Sequence, residues 1–324
     1  MISSNFKLIS SVFPEISNGP SENSVTPMSK PTLVNDRDTI DVVVGIHLDG
    51  RKNQTGFMDE WEVHLKSLMI HAPLDFNLHV HIITNQKALL SIQQRLELSG
   101  LHHFQFRNKV TLTCYVVDKY EITWEEFIYN KTNKTPFQSA KNIYTTGAYY
   151  RLMADRYDFY SDSFLSFCFH FHLSNLYPFV VCSSRVLPKD LVNVIYSDTD
   201  VVFNSNLNAL YPYLDPKKHT QWLQIGKTGC SGFIILNLKT FGSHFWTTID
   251  VLAQQKISFG GVHDQYLLRL VRENSPLNST GILPDEWNIH YSDHHRDPSS
   301  IMELEIAFLH FNGMRNQLRG FWEG

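Results

Sequence analysis

Short apolar segments alternate with helix-period segments from residue 41 to residue 117, and this alternation limits the fold more than any other feature of the chain. "DVVVGIH" (41–47), "LHVHIIT" (78–84) and "VTLTCYVV" (110–117) have the length and β-branched content of strands. Between the first two, "FMDEWEVHLKSLMIHA" puts Phe57, Trp61, Leu65, Leu68 and Met69 on one helical face, and "KALLSIQQRLEL" supplies a second helix. Nearly continuous apolar strands need cover on both faces. Helices that cross over between parallel strands provide it, so an α/β fold with a mostly parallel central sheet is expected.

Residues 1–38 are polar and rich in Ser, Asn and Pro, the composition of a tail that buries too little surface to order itself, and residues 39–324 are expected to form the folded domain. The start of the chain has no continuous apolar run, so neither a signal nor an anchor is visible and a cytoplasmic location stays open. A net charge of -4, with no Lys and Arg run, argues against a nucleic-acid partner. The four cysteines, Cys114, Cys168, Cys182 and Cys230, lack C-x-x-C spacing and signal neither a zinc knuckle nor a disulfide framework. Sequons at Asn53, Asn130, Asn133 and Asn278 would suit a secretory lumen, but an Asn- and Ser-rich chain yields some by chance.

"TTGAYYRLMADR" (145–156) reads as a helix and "VNVIYSDTDVVF" (192–203) as a strand, but the text between them follows neither period. Residues 157–185 hold nine aromatics and no Lys, Glu, Gly, Ala or Thr. Removing them leaves a helix, a short turn and a strand. They are therefore read as an insertion, and their bias toward pyrimidine-rich codons suits a retained intron; an apolar lid or membrane-dipping insert is the alternative.

The strand in "NVIYSDTDVVF" (193–203) is interrupted by Asp198 and Asp200. On an extended strand, residues two apart face the same way, so both carboxylates can serve one cation. Buried carboxylates are costly without a partner, and open α/β sheets bind nucleotides at the carboxyl ends of their strands. The spacing alone recurs at Asp36 and Asp38 of the polar tail; it is the place of this pair at the end of an apolar strand that points to a site for Mn²⁺ or Mg²⁺ against a diphosphate. A rival exists in the haloacid-dehalogenase phosphatases, which also carry an apolar strand followed by D-x-D. Those enzymes place it on the first strand, whereas three strand-like segments come first here.

Downstream lie "KTGCSGFIILNLKTF" (227–241), "GGVHDQYLLRLV" (260–271), "LPDEWNIHY" (283–291) and "LHFNG" (309–313). With "YYR" and "DTD", the ordered set YYR, DTD, SG, DQ, WN and HFxG resembles the retaining glycosyltransferases of family 8, over about residues 40–320. The resemblance implies a GT-A, Rossmann-like fold and transfer of a sugar from a UDP-sugar to a glycan or glycoprotein acceptor. It also implies that Asp198, Asp200 and His310 hold Mn²⁺, with Mg²⁺ as second choice. Asp264 would bind sugar hydroxyls and the Gln265 amide would lie near the anomeric carbon; the plain alternative for Asp264 is a helix cap. Arg151, Ser231, Gly232, Asn288, Gly313 and Arg315 would contact or support the donor. His290 and His294 offer a rival metal pair, here taken as part of a solvated loop.

Three departures from the family's pattern stand out. Cys230 occupies the place of the usual Asn before Ser-Gly, Asn316 that of a diphosphate-binding Lys, and residues 157–185 interrupt the approach to the metal strand. The "HFNG" close leans toward the xylosyltransferase-like branch, and for a eukaryotic protein the family implies the Golgi lumen. A GT-A domain that binds nucleotide-sugar or metal without turnover is the non-enzymatic alternative.

Overall fold

The apolar segments of the first third pair side by side in the computed structural model, which describes residues 39–48, 54–73, 75–99, 110–117, 166–172, 175–183, 186–188, 190–214, 221–224, 231–255, 264–275, 279–287, 289–290 and 307–311. β1 (Thr39–Ile46) runs parallel to β2 (Asn77–Thr84), and β2 parallel to β3 (Val110–Val116). α1 (Gln54–His71) and α2 (Gln86–Ser99) lie between them in the chain. The crossovers are those that the alternation predicts.

Asn85 locks the end of the second strand to the end of the first. Its Oδ1 accepts from the Ala88 amide at 3.0 Å, capping α2, and from the Leu48 amide at 3.3 Å, while its Nδ2 donates to the Leu48 carbonyl at 2.8 Å.

β4 (Ser166–His172) and β5 (Asn175–Ser183) extend the β3 edge as an antiparallel pair. Both fall inside 157–185, a segment whose sequence announces no strand. On the other side of β1 stands β6 (Asn193–Ser197), again parallel. Beyond it come β9 (Phe233–Asn237) and then β8 (Gln221–Gln224), each antiparallel to its neighbour, and β10 (Thr280–Leu283), parallel to β8. The order is β10-β8-β9-β6-β1-β2-β3-β4-β5. The parallel centre is the part read from the sequence; the antiparallel flanks are not.

Alternation along the strands divides the core in two. Val42, Val44, Val80 and Ile82 pack with Trp61, Leu65 and Ile92 of the first two helices. Val43, Ile83, Tyr196 and Ile234 face the other way, onto Phe245 and Ile249 of α3 (Phe241–Gln254) and Leu267 and Val271 of α4 (Asp264–Asn274). Each such fully buried aliphatic side chain contributes roughly 1.5–3 kcal/mol relative to exposure, which holds both helical layers on the sheet.

A second, three-stranded sheet has the order β11 (Ile289–His290), β12 (Phe308–His310), β7 (Val201–Phe203). β12 is antiparallel to β7, with His310 opposite Val201. Its apolar support is an aromatic stack: Phe233 lies 4.6 Å from Phe308 and 5.6 Å from Trp287, centroid to centroid, and Phe203 meets Phe308 edge-on at 5.0 Å. This pairing brings β12 to the turn after β6. The described residues all belong to one unit, Leu33–Gly324. The expected tail and the expected helix over 145–156 lie outside the described residues.

Candidate active site

β6 stops at Ser197, and Asp198 and Asp200 belong to the bend that connects it to β7. The two carboxylates therefore do not share a strand face through the pleat, as the i, i+2 spacing suggested. They converge because the chain turns there and β12 closes against it. His310 Nε2 lies 3.2 Å from Asp200 Oδ1 and 4.0 Å from Asp198 Oδ2. One ligand atom from each of the three lies within 4.8 Å of the others. The imidazole is buried at 3% exposure, whereas the carboxylates of Asp198 and Asp200 are 25% and 16% exposed. The histidine forms a floor and the acids face outward.

Backbone bonds fix this geometry. The Asp198 amide donates to the Gly232 carbonyl at 2.8 Å, and the Phe311 amide donates to the Asp200 carbonyl at 2.9 Å. Tyr196, a buried residue of β6, donates its hydroxyl to Asp198 Oδ1 at 3.2 Å. On the α1 side, His64 Nε2 stands 3.1 Å from Ser197 Oγ. Full burial lowers the His64 pKa to about 4, against a smaller upward pull from the Val201 backbone and the Asp200 charge. His64 is thus a neutral strut beneath the bend at neutral pH. Neither Tyr196 nor His64 is singled out by the sequence, because a Tyr in an apolar strand and a His on a helix read as ordinary core.

Gly232 shows how tightly the site is built. A Cβ added there would stand 2.3 Å from His310 Cε1, 2.7 Å from its Nδ1 and 3.1 Å from Asp198 Oδ2. No larger residue fits without displacing the imidazole. Beside it, Ser231 Oγ donates to Asp264 Oδ2 at 3.0 Å, and both residues are buried. Asp264 opens α4, so its carboxylate gains from the helix N-terminus and from the serine together. Gln265 follows as the second residue of that helix, half-buried.

Two carboxylates and one imidazole around a common point, with one side open, suit a divalent cation with remaining positions for other oxygen ligands. Of the residues expected at the site, Asp198, Asp200, His310, Ser231 and Gly232 come together, and Ser231 joins them to Asp264. Arg151, Asn288, Gly313 and Arg315 lie outside the described residues. His290 is not in a solvated loop: it belongs to β11, is buried, and its ring centroid is 5.2 Å from that of His310.

Neither family models nor curated proteins match the chain. Solved structures do. Mouse xyloside xylosyltransferase 1, in its apo form, superposes with a TM-score of 0.52 at 13% identity, covering 86% of this chain and 99% of that one. The galactosyltransferase LgtC, in complex with donor and acceptor sugar analogues, gives 0.50 at 14% identity over 87% and 96%. The bifunctional glycosyltransferase WbbM, also apo, gives 0.51 at 14% identity over 86% of this chain and 46% of its own. Identity this low speaks to architecture alone. The DTD bend therefore belongs to an α/β domain with the GT-A fold, the fold that the resemblance to family 8 implies.

Proposed function

We propose that this chain is a retaining glycosyltransferase that moves a sugar from a UDP-sugar to an acceptor hydroxyl on a glycan or glycoprotein. Its proposed class is hexosyl- or pentosyltransferase, with xylose as first candidate, and its proposed place is the Golgi lumen. Among the described residues no helix is long and apolar enough to cross a membrane. Residues 39–324 form the proposed catalytic domain, with 157–185 as an insertion in it.

The observation that carries this reading is the convergence of Asp198, Asp200 and His310 on one point, next to the buried Ser231–Asp264 pair. A Mn²⁺ or Mg²⁺ ion held by the first three would neutralise the charge that develops on the departing diphosphate. The rest is work for the chain's own groups. The buried His310 ring sets the depth of the site, and Tyr196 holds Asp198 in position. Asp264, oriented by Ser231, is placed to accept hydrogen bonds from sugar hydroxyls. The Gln265 amide, one residue on, presents a dipole rather than a nucleophilic carboxylate, which suits same-face transfer without a trapped sugar. In the proposed role, Gly232 leaves room for the donor to approach the backbone, and Arg151, Asn288, Gly313 and Arg315 complete the donor contacts.

The test is UDP release from UDP-xylose, UDP-glucose and UDP-galactose, with and without Mn²⁺, for the full chain, a version lacking 157–185, and Asp200→Ala in each. Metal-dependent release that the Asp200 change abolishes supports the transferase and identifies the donor. A folded protein that binds UDP-sugar without releasing UDP makes it a binding domain. Phosphate release from a phosphomonoester without sugar nucleotide overturns the reading.

A further inference from the structure

We propose that Asp41, His79 and His81 form a second metal site, separate from the DTD bend and suited to a zinc-like transition ion. Asp41 lies in the first half of β1 and is in register with His79 of β2; His81, two residues on, shares its sheet face. Val43 and Ile83 continue that face into an apolar core. The bend lies instead past the carboxyl end of β6, whose last residue, Ser197, is in register with Val44 of β1.

The rings are set as metal ligands are. His81 Nε2 lies 2.9 Å and His79 Nδ1 lies 3.7 Å from the same oxygen, Asp41 Oδ1. Each ring's other nitrogen meets a hydroxyl from β3: His79 Nε2 is 2.7 Å from Thr113 Oγ1, and His81 Nδ1 is 2.8 Å from Tyr115 OH. Metal-binding histidines commonly have the second nitrogen held in this way, because the outer bond fixes both the tautomer and the ring orientation. With an ion bound, both inward nitrogens offer lone pairs and both outward N–H groups donate to the hydroxyls. One ligand atom from each residue lies within 4.8 Å of the others.

Burial and donor chemistry fit the same conclusion. His81 is fully buried, while Asp41 and His79 are 10% and 21% exposed, so the group runs from a buried ring to two partly exposed ligands. Polar groups this deep are costly unless each is matched, and all the polar atoms just named converge on one another or on β3. Two imidazoles with one carboxylate favour Zn²⁺ or Co²⁺ over Mg²⁺, which prefers oxygen. The DTD bend, with two carboxylates and one imidazole, has the harder set. One domain thus offers two sites of different ion preference.

The experiment uses the full chain carrying Asp198→Asn and Asp200→Asn, which removes the carboxylates of the bend. After chelation and buffer exchange, Zn²⁺ is titrated against a chromophoric competitor. The expected result is one equivalent bound, weakened at least tenfold by His79→Gln with an unchanged circular dichroism spectrum. Thr113→Val and Tyr115→Phe are expected to weaken it about 10- to 100-fold. No binding by the folded Asn variant, or binding that His79→Gln leaves intact, overturns the site. Should His79→Gln fail to fold, X-ray absorption on the Co²⁺-loaded Asn variant decides it: two imidazole ligands support the site, and fewer overturn it. Sugar-transfer activity plays no part in the readout, so the outcome is independent of the proposed transferase.

Discussion

Ser231 Oγ donates to Asp264 Oδ2 at 3.0 Å across 33 residues of sequence, and the bond ties the Ser-Gly turn before β9 to the first residue of α4. A hydrogen bond to a buried carboxylate is worth about 1.5–3 kcal/mol, so Ser231→Ala is expected to lower kcat/KM for the donor by roughly 10- to 100-fold. Asp264→Asn keeps the shape but loses the charge and should cost at least as much. Steady-state UDP release against donor concentration checks both, with thermal melting to show that the fold survives.

Gly232→Ala should damage the proposed metal site rather than the whole fold. Its methyl would stand 2.3 Å from His310 Cε1 and 3.1 Å from Asp198 Oδ2, so the imidazole or the turn that carries residue 232 must shift. Overpacking of this kind costs roughly 1–3 kcal/mol. Calorimetric titration with Mn²⁺ should show weakened binding, and a variant with undiminished Mn²⁺ affinity would contradict the geometry.

Chelation followed by Mn²⁺ addition should abolish and then restore UDP release. Asp200→Asn and His310→Gln remove one proposed ligand each, the first from the bend and the second from β12, and each is expected to lower turnover about 100-fold or more, the scale of losing one electrostatic element of an active site. Equal activity with and without divalent ions would sink the metal-assisted reading.

His64 makes a pH prediction with a definite sign. Its folded-state pKa is lowered to about 4 by burial, below the ordinary histidine value of 6.5. Between those values the unfolded chain binds a proton that the folded chain does not, so stability falls as pH drops from 6.5 toward 4. The full penalty, reached below about pH 4, is on the order of 3 kcal/mol. Urea melts of the wild type and of His64→Gln across that window should show a shallower pH dependence in the variant.

Asn85→Ala removes the cap of α2 and leaves Leu48's buried amide and carbonyl without their partner. A cap and an unsatisfied buried pair together should cost roughly 2–4 kcal/mol, measured as a lower urea midpoint with an unchanged slope.

The strand and helix alternation from Asp41 to Val117 was legible because burial on both faces demands apolar runs, and local period reports it directly. Val42, Trp61, Leu65 and Val80 could be assigned to a core from spacing alone. The DTD pair, His310, Ser231 and Asp264 were legible as an ordered set of motifs. Their actual contacts were not, since each joins residues far apart in the chain. Asp198 and Asp200 meet His310 through a bend and the β7–β12 pairing, not through a strand pleat. Tyr196 and His64 gave no signal, because a residue that supports a site from inside the core has the same local pattern as one that only packs.

What the sequence by itself determined is the class of fold and the residue types available for chemistry, both of which follow from short-range periodicity and from motif order. Tertiary structure decided which of them meet. The antiparallel flanks β9 and β4, the Ser231–Asp264 bond, and the gathering of Asp41, His79 and His81 under Thr113 and Tyr115 all depend on strand register. Register is set by the summed packing of the whole sheet, and no local stretch of residues encodes that sum.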